Sequence, residues 1–160
     1  MAWVAAQLAQ ALLFNAGPYR FPPGAEARFR EVRPALVKVG CSEGVPPALL
    51  TGLALKESSL RPDAQGPPLS GGVQALGLGQ VLPSTFERHG FSDWSSNWTD
   101  PEYNLRATVA ELRARGLGHA PVREVLAKYG GFVTADPTDY VTTVLTWATI
   151  FSPRFLGACT

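Results

Sequence analysis

Glu57 is the ionisable residue whose neighbours most suggest chemistry. Leu50, Leu53 and Ala54 stand at i, i+3 and i+4 of one helical face, and the i+7 position on that face is Glu57. A carboxyl group at the end of an apolar stripe loses hydration of its charged form. Its pKa rises, and it stays protonated near neutral pH, as a general acid must. The plain alternative is a glutamate at a helix end whose head reaches solvent past Ser58 and Ser59. A second polar group lies on an apolar face at Tyr129, which completes a stripe of Val122, Val125 and Leu126 before Gly130-Gly131 breaks the helix. Between the two, Pro62 to Gly79 is rich in Pro, Gly, Ser and Gln, a long irregular loop of the kind that binds ligands.

The elements that must position these groups read as helices. Val4, Leu8, Ala11 and Leu12 mark a short helix over 3–14, ended by Gly17-Pro18. Phe29, Val32, Leu36 and Val39 mark a second, closed by Gly40, and Pro46-Pro47 open the apolar helix that carries Glu57. Ser84-Thr85-Phe86-Glu87 has the form of a capping box, which predicts a short helix from Pro83 or Ser84 to near Gly90. After an irregular stretch from Phe91 to Thr99, Asp100-Pro101-Glu102 reads as N-cap, first helical residue and early acid. Leu105, Val109 and Leu112 face inward along that helix as far as Gly116. Pro121 starts the Tyr129 helix. Thr138 to Phe151 has Val141, Val144, Leu145 and Ala148 at helical spacing; its threonines and valines also suit a strand, and we read it as helix. The expectation is an all-α domain of about six helices around one core, with prolines and glycines kept to loops and first turns.

Composition narrows the function. The chain has 160 residues, 46% hydrophobic and 17% charged, which fits one folded domain. No apolar run approaches the ~20 residues of a bilayer span, so no transmembrane segment is expected. Fourteen basic against thirteen acidic residues leave a net charge of +1, no field to draw in nucleic acid. Cys41, Cys159, His89 and His119 lack zinc-ligand spacing, so neither metal nor cofactor is expected; the thiols are read as free, and both histidines, beside glycines, as exposed. Trp94 and Trp98 could stack on sugar rings and are read in preference as closing over the core. Asp63, Asp93, Asp100 and Glu102 are the candidates for a second carboxylate, and all but Asp93 are accounted for by turns or helix starts.

The order of short motifs adds a resemblance. Glu57-Ser58 at a helix end, then Gly77-Leu78-Gly79-Gln80 in a loop, then Pro83-Ser84-Thr85 at a helix start, closely resembles the catalytic domain of soluble lytic transglycosylases, lysozyme-like enzymes related to goose-type lysozymes. Asp100-Pro101-Glu102-Tyr103-Asn104-Leu105 resembles the next landmark of that family, and Lys128-Tyr129-Gly130-Gly131 sits where the family carries Ala-Tyr-Asn and a glycine. The resemblance spans roughly residues 26 to 151. Two positions depart from it: Gly130 replaces the Asn, and Gly79 stands where Met is frequent. Both changes are expected to widen the cleft.

The resemblance implies an all-α catalytic domain within the α+β lysozyme-like superfamily, over 26–152, preceded by a helix and Pro-rich lead-in over 1–25 and followed by a tail over 153–160. It implies Glu57 as acid and base, Ser58 as a neighbour shaping the cleft, Gln80 as a sugar contact, Tyr129 as the partner that orients Glu57, and Tyr140 as a further site residue near the cleft. The implied partner is the peptidoglycan glycan strand, acted on by a monomer. The implied reaction cleaves the β-1,4 bond between N-acetylmuramic acid and N-acetylglucosamine with a 1,6-anhydro product. Hydrolysis of the same bond is the nearest alternative, and a glycan-binding or structural module without turnover is the other. The implied place of action is the cell wall, from the periplasm or outside. Met1 to Phe14 makes a poor signal peptide, which leaves open a phage-encoded lysin, a virion-carried enzyme or a domain cut from a longer exported protein.

Overall fold

The computed structural model describes residues 20–132 and 135–160, and among them the chain forms seven α-helices. They are α1 (Ala25–Glu43), α2 (Pro47–Ser58), α3 (Pro83–Arg88), α4 (Trp94–Asn97), α5 (Pro101–Ala114), α6 (Val122–Tyr129) and α7 (Thr138–Phe151), with 3-10 turns at Ser70–Gly72 and Ser152–Phe155. The helix expected over 3–14 lies outside the described residues. Only isolated bridges, Gln65 with Leu76 and Leu76 with Val81, interrupt the all-helical character of the described residues.

Every residue of α2 from Pro47 to Leu55 is buried, so this helix runs through the centre of the domain instead of presenting one stripe to it. Gly52 explains how α7 comes so close. A Cβ at that position would lie 2.3 Å from the Val144 carbonyl oxygen and 2.8 Å from the Ala148 nitrogen. Glycine weakens a helix interior by roughly 0.5–1 kcal/mol relative to alanine, and here it permits backbone contact between α2 and α7. Gly40 does not end α1, as the sequence suggests; the helix runs on to Glu43 and stops at Gly44, whose φ is 67°. Gly40 instead leaves room for the turn back into α2, since a Cβ there would lie 2.8 Å from both the Val45 carbonyl oxygen and Pro47 Cγ. Pro34 departs from the expectation that prolines avoid helix interiors. It is exposed, where water can bond the carbonyl that a proline leaves without a donor.

Two buried apolar clusters replace the single core expected. The larger gathers α1, α2, α5, α6 and α7. In the smaller, Leu76, Val81, Phe86 and Ala107 are covered by Phe91, Trp94, Trp98 and Tyr103. Phe86 is fully buried, stacked on Trp94 with ring centroids 6.2 Å apart and on Tyr103 at 6.0 Å. The tryptophans close over this second cluster, and the stretch expected to be irregular forms α4. The expected capping box is absent: Pro83 takes the first helical position, Leu82 is the N-cap without a side-chain bond, and Glu87 accepts from Trp94 Nε1 at 3.3 Å. Asp100 does cap α5, its Oδ1 accepting from the Tyr103 N–H at 2.7 Å.

Cys41 and Cys159 form a disulfide, which corrects the expectation of free thiols. Their 118-residue separation carries no local signal. The 3-10 turn after α7 brings the C-terminal segment back to the end of α1. No helix among the described residues is long and apolar enough to cross a membrane.

Candidate active site

Glu57 sits in the last turn of α2, one residue before the helix ends. The end itself is unusual: Ser59 and Leu60 both have positive φ, 56° and 59°, which non-glycine residues adopt at a cost. Their N–H groups bond back to Leu55 O at 3.0 Å and Ala54 O at 3.2 Å, Leu60 is fully buried, and Arg28 Nε donates to Ser59 O at 2.7 Å. These contacts hold the turn that carries the carboxylate.

The α2–α7 crossing at Gly52 sets the partner of Glu57. Because Val144 and Ala148 pack on Gly52, Tyr140, one turn before Val144, meets Glu57 further along α2, and its hydroxyl donates to Glu57 Oε1. Burial raises the pKa of Glu57; the Tyr140 hydrogen bond and the Lys56 charge pull it back, and burial prevails. Lys56 Nζ also lies over the Tyr140 ring, 6.0 Å from its centroid. The Tyr140 phenol is itself pushed far above its ordinary range, first by burial and then by the carboxylate, and so remains a proton donor in the hydrogen bond.

Ser58 is buried, with Oγ 2.9 Å from both Ala54 O and Leu78 O. Its hydroxyl ties α2 to the Gly77–Gln80 loop and faces protein on both sides. That loop is a tight hairpin: Leu76 and Val81 exchange both backbone bonds at 3.0 Å. Leu78 enters the large core while Leu76 and Val81 enter the small one, so the loop bridges the two clusters. Gln80 adopts a φ of 51°, and its Nε2 donates to Ala64 O at 3.2 Å and Gly77 O at 3.0 Å. The amide nitrogen is thus engaged within the loop, and Oε1 lies beside Gly66, where a Cβ would be 2.7 Å from it.

The hydroxyl of Tyr129 donates to Gly79 O at 2.7 Å, not to Glu57. The direct orienting contact expected of Tyr129 is made by Tyr140, because α7 packs along α2 while α6 ends against the loop. Tyr129 remains close enough to the carboxylate to feel it: burial raises its pKa most, and Glu57 raises it further. The two glycines expected to widen the cleft do not leave open space. A Cβ at Gly79 would lie 2.0 Å from Thr108 Oγ1 and 3.0 Å from the Tyr129 hydroxyl, and one at Gly130 would meet the Phe132 and Tyr140 rings at 2.8 and 2.9 Å.

Sequence reasoning passed over the α5 face that supports this loop. Asn104, Thr108 and Glu111 are i, i+4 and i+7 of one stripe, and all three are buried. Asn104 Oδ1 accepts from Gly79 N at 2.9 Å, and its Nδ2 donates to Leu76 O at 2.9 Å and Trp98 O at 3.2 Å. Gly77, with a φ of 73°, is needed there because a Cβ would lie 2.2 Å from Asn104 Nδ2. Glu111 accepts from Arg88 Nη2 at 2.7 Å and Arg115 Nε at 2.7 Å, and its Oε2 lies 2.6 Å from His89 Nε2. His89 is therefore packed against a carboxylate, not exposed; His119 is exposed. A polar stripe inside an otherwise apolar helix pattern was the available signal.

The other acidic candidates are engaged elsewhere. Asp93 accepts from the Tyr103 hydroxyl and Asn97 Nδ2, Asp100 caps α5, Glu102 pairs with Lys38 at 2.8 Å, and Asp63 is exposed. Among the described residues no group of three or more His, Cys, Asp and Glu side chains is arranged to hold a metal. The chemistry available at Glu57 is proton transfer by one half-buried carboxyl group with a phenol bonded to it.

The family model described as Transglycosylase SLT domain matches residues 35–129, more than half of the chain. No curated protein and no solved structure matches it.

Proposed function

As the chain belongs to the Transglycosylase SLT domain family, whose activity is the lytic cleavage of peptidoglycan, we propose that it breaks the β-1,4 bond between N-acetylmuramic acid and N-acetylglucosamine and leaves a 1,6-anhydro end. The observation that carries the proposal is the half-buried Glu57 with its raised pKa and its hydrogen bond from Tyr140. Protonated Glu57 gives its proton to the glycosidic oxygen, and the bond from that oxygen to C1 breaks. The 2-acetamido group of the muramic residue stabilises the developing positive charge at C1. Ionised Glu57 keeps the Tyr140 hydrogen bond, which favours the charged form just when it appears. The carboxylate then takes the proton of the C6 hydroxyl as that oxygen bonds to C1. Atoms balance without water, and the acid is restored.

One carboxyl group suffices for this sequence, whereas a hydrolysing glycosidase ordinarily needs a second. That the other acidic candidates are engaged or exposed favours the lyase over the hydrolase. Gln80 Oε1 and the Tyr129 edge are the sugar contacts of the proposal. We place the activity in the periplasm or outside the cell, and the Cys41–Cys159 disulfide supports an oxidising compartment. Digestion of purified cell walls followed by mass analysis of the released strands tests the reaction. Ends one water lighter than reducing sugars are expected; reducing ends would assign a lysozyme, and binding without release of soluble fragments would assign a non-catalytic module.

A further inference from the structure

We infer that Arg115, held by Glu111, binds a carboxylate carried by the glycan strand and gives the site a preference for carboxylate-bearing over neutral strands. The inference rests on the proposed function and deepens it. Beside the Glu57 site lies a cavity of about 100 Å³ lined by Gln80, Thr85, Glu111, Arg115 and Tyr129 among others. Tyr129 joins the two places: its hydroxyl is bonded to the Gly79 carbonyl next to Gln80, and its ring borders the cavity. Burial raises the pKa of its phenol most, and the charges of Glu57 and of Glu111 both raise it further.

The charged groups around the cavity are arranged for an anion. Glu111, 9% exposed, has both oxygens occupied, one by Arg115 Nε and the other by Arg88 and His89. Binding through Nε orients the Arg115 guanidinium and leaves its two Nη nitrogens, which have no partner among the described residues. That side chain is 45% exposed. Two arginines against one glutamate leave the cluster positive by one charge even with His89 neutral, so an arriving carboxylate is attracted and meets a preset pair of donors. Glu111 takes the side nitrogen of Arg115, and the end-on pair of Nη nitrogens is left for an incoming carboxylate.

Peptidoglycan offers carboxylates from two sources: the stem peptides, and the lactyl groups set free where stems have been removed. The test uses intact strands and amidase-stripped strands, each as isolated and after its carboxylates have been converted to carboxamides. Both KM and binding to sedimented strands are measured for each. For the wild-type protein about a tenfold lower KM and Kd is expected on the carboxylate form of one strand type, and that strand type names the source. Arg115→Met brings the ratio to about one, and Arg115→Lys keeps part of it, with the effect in KM and not in kcat. A ratio of one for the wild-type protein on both strand types overturns the inference, as does a ratio that survives in Arg115→Met. Because each ratio is internal to one protein, a partly unfolded variant does not distort it. Strands that bind with the expected ratio but are never cut refute the proposed reaction and leave the inference standing.

Discussion

The hydroxyl of Tyr140 is hydrogen-bonded to the carboxylate of Glu57, a contact between residues 83 apart in sequence that exists because α7 lies against the backbone of α2. Three influences act on the carboxyl group, burial raising its pKa and the phenol and Lys56 lowering it, with burial the largest. The balance leaves an acid that is protonated more readily than an exposed glutamate and is still stabilised when ionised.

Glu57→Gln abolishes proton delivery while keeping size and shape. Turnover on cell walls is expected to fall by about 10²- to 10⁴-fold, the usual contribution of a general acid. Release of soluble muropeptides measures it, and wild-type rates in this variant would remove Glu57 from the reaction.

Tyr140→Phe removes a hydrogen bond that favours the ionised form. The Glu57 pKa therefore rises further, and the alkaline limb of the kcat/KM profile, where the acid loses its proton, moves to higher pH. The rate maximum is expected to drop about ten- to a hundredfold, as for a lost bond to a charged group. A profile unmoved along the pH axis would show that the phenol does not act on Glu57.

The same raised pKa makes stability depend on pH. Folded protein holds the Glu57 proton more tightly than unfolded protein does, so this contribution is full below the ordinary carboxyl range and is lost as pH rises through the raised value. The gain in Tm from Glu57→Gln is accordingly larger at pH 8 than at pH 4. Thermal scans of the two proteins at both pH values give the answer; an equal difference would contradict it.

Reduction of the Cys41–Cys159 bond, or Cys41→Ser with Cys159→Ser, lowers stability by about 5 kcal/mol on the chain-entropy view, since the bridge closes a loop of 118 residues. A Tm lower by about 10–20 °C is expected. Scans with and without reductant measure it, and unchanged melting would mean the segment after α7 adds nothing to the fold.

Asn104→Ala removes a buried side chain that bonds Gly79 N, Leu76 O and Trp98 O. Stability is expected to fall by about 3 kcal/mol. Urea midpoints read this, and activity should fall with it at temperatures where the variant stays folded, because the Gly77–Gln80 loop loses its support.

Local patterns were legible in the sequence and crossings were not. Stripes of leucine and valine located the helices, the Asp100 cap was readable from three residues, and Glu57 and Tyr129 announced themselves as polar groups at the end of apolar faces. Which hydroxyl reaches Glu57 is decided by how α7 meets α2, and the determinant is Gly52, a residue that carries no chemistry. The second core was hidden for another reason: Phe86, Phe91, Trp94, Trp98 and Tyr103 are spread over two short helices, a loop and the start of α5, with no common period. The burial of Glu111 was not legible because its partners, Arg88, His89 and Arg115, come from two helix ends that the sequence does not place together.

The Cys41–Cys159 bond also changes what it means to cut this chain. Residues 41 to 159 form a closed covalent circuit, and Glu57, Gln80, Arg115, Tyr129 and Tyr140 all lie on it. The longest exposed stretch of that circuit among the described residues is Pro67 to Val73. A protease that severs the backbone there opens the circuit into a single strand whose two arms are still joined through sulfur. Glu57 and Tyr140 stay covalently joined after one such nick; two cuts, or a cut and a reductant, are needed to separate them.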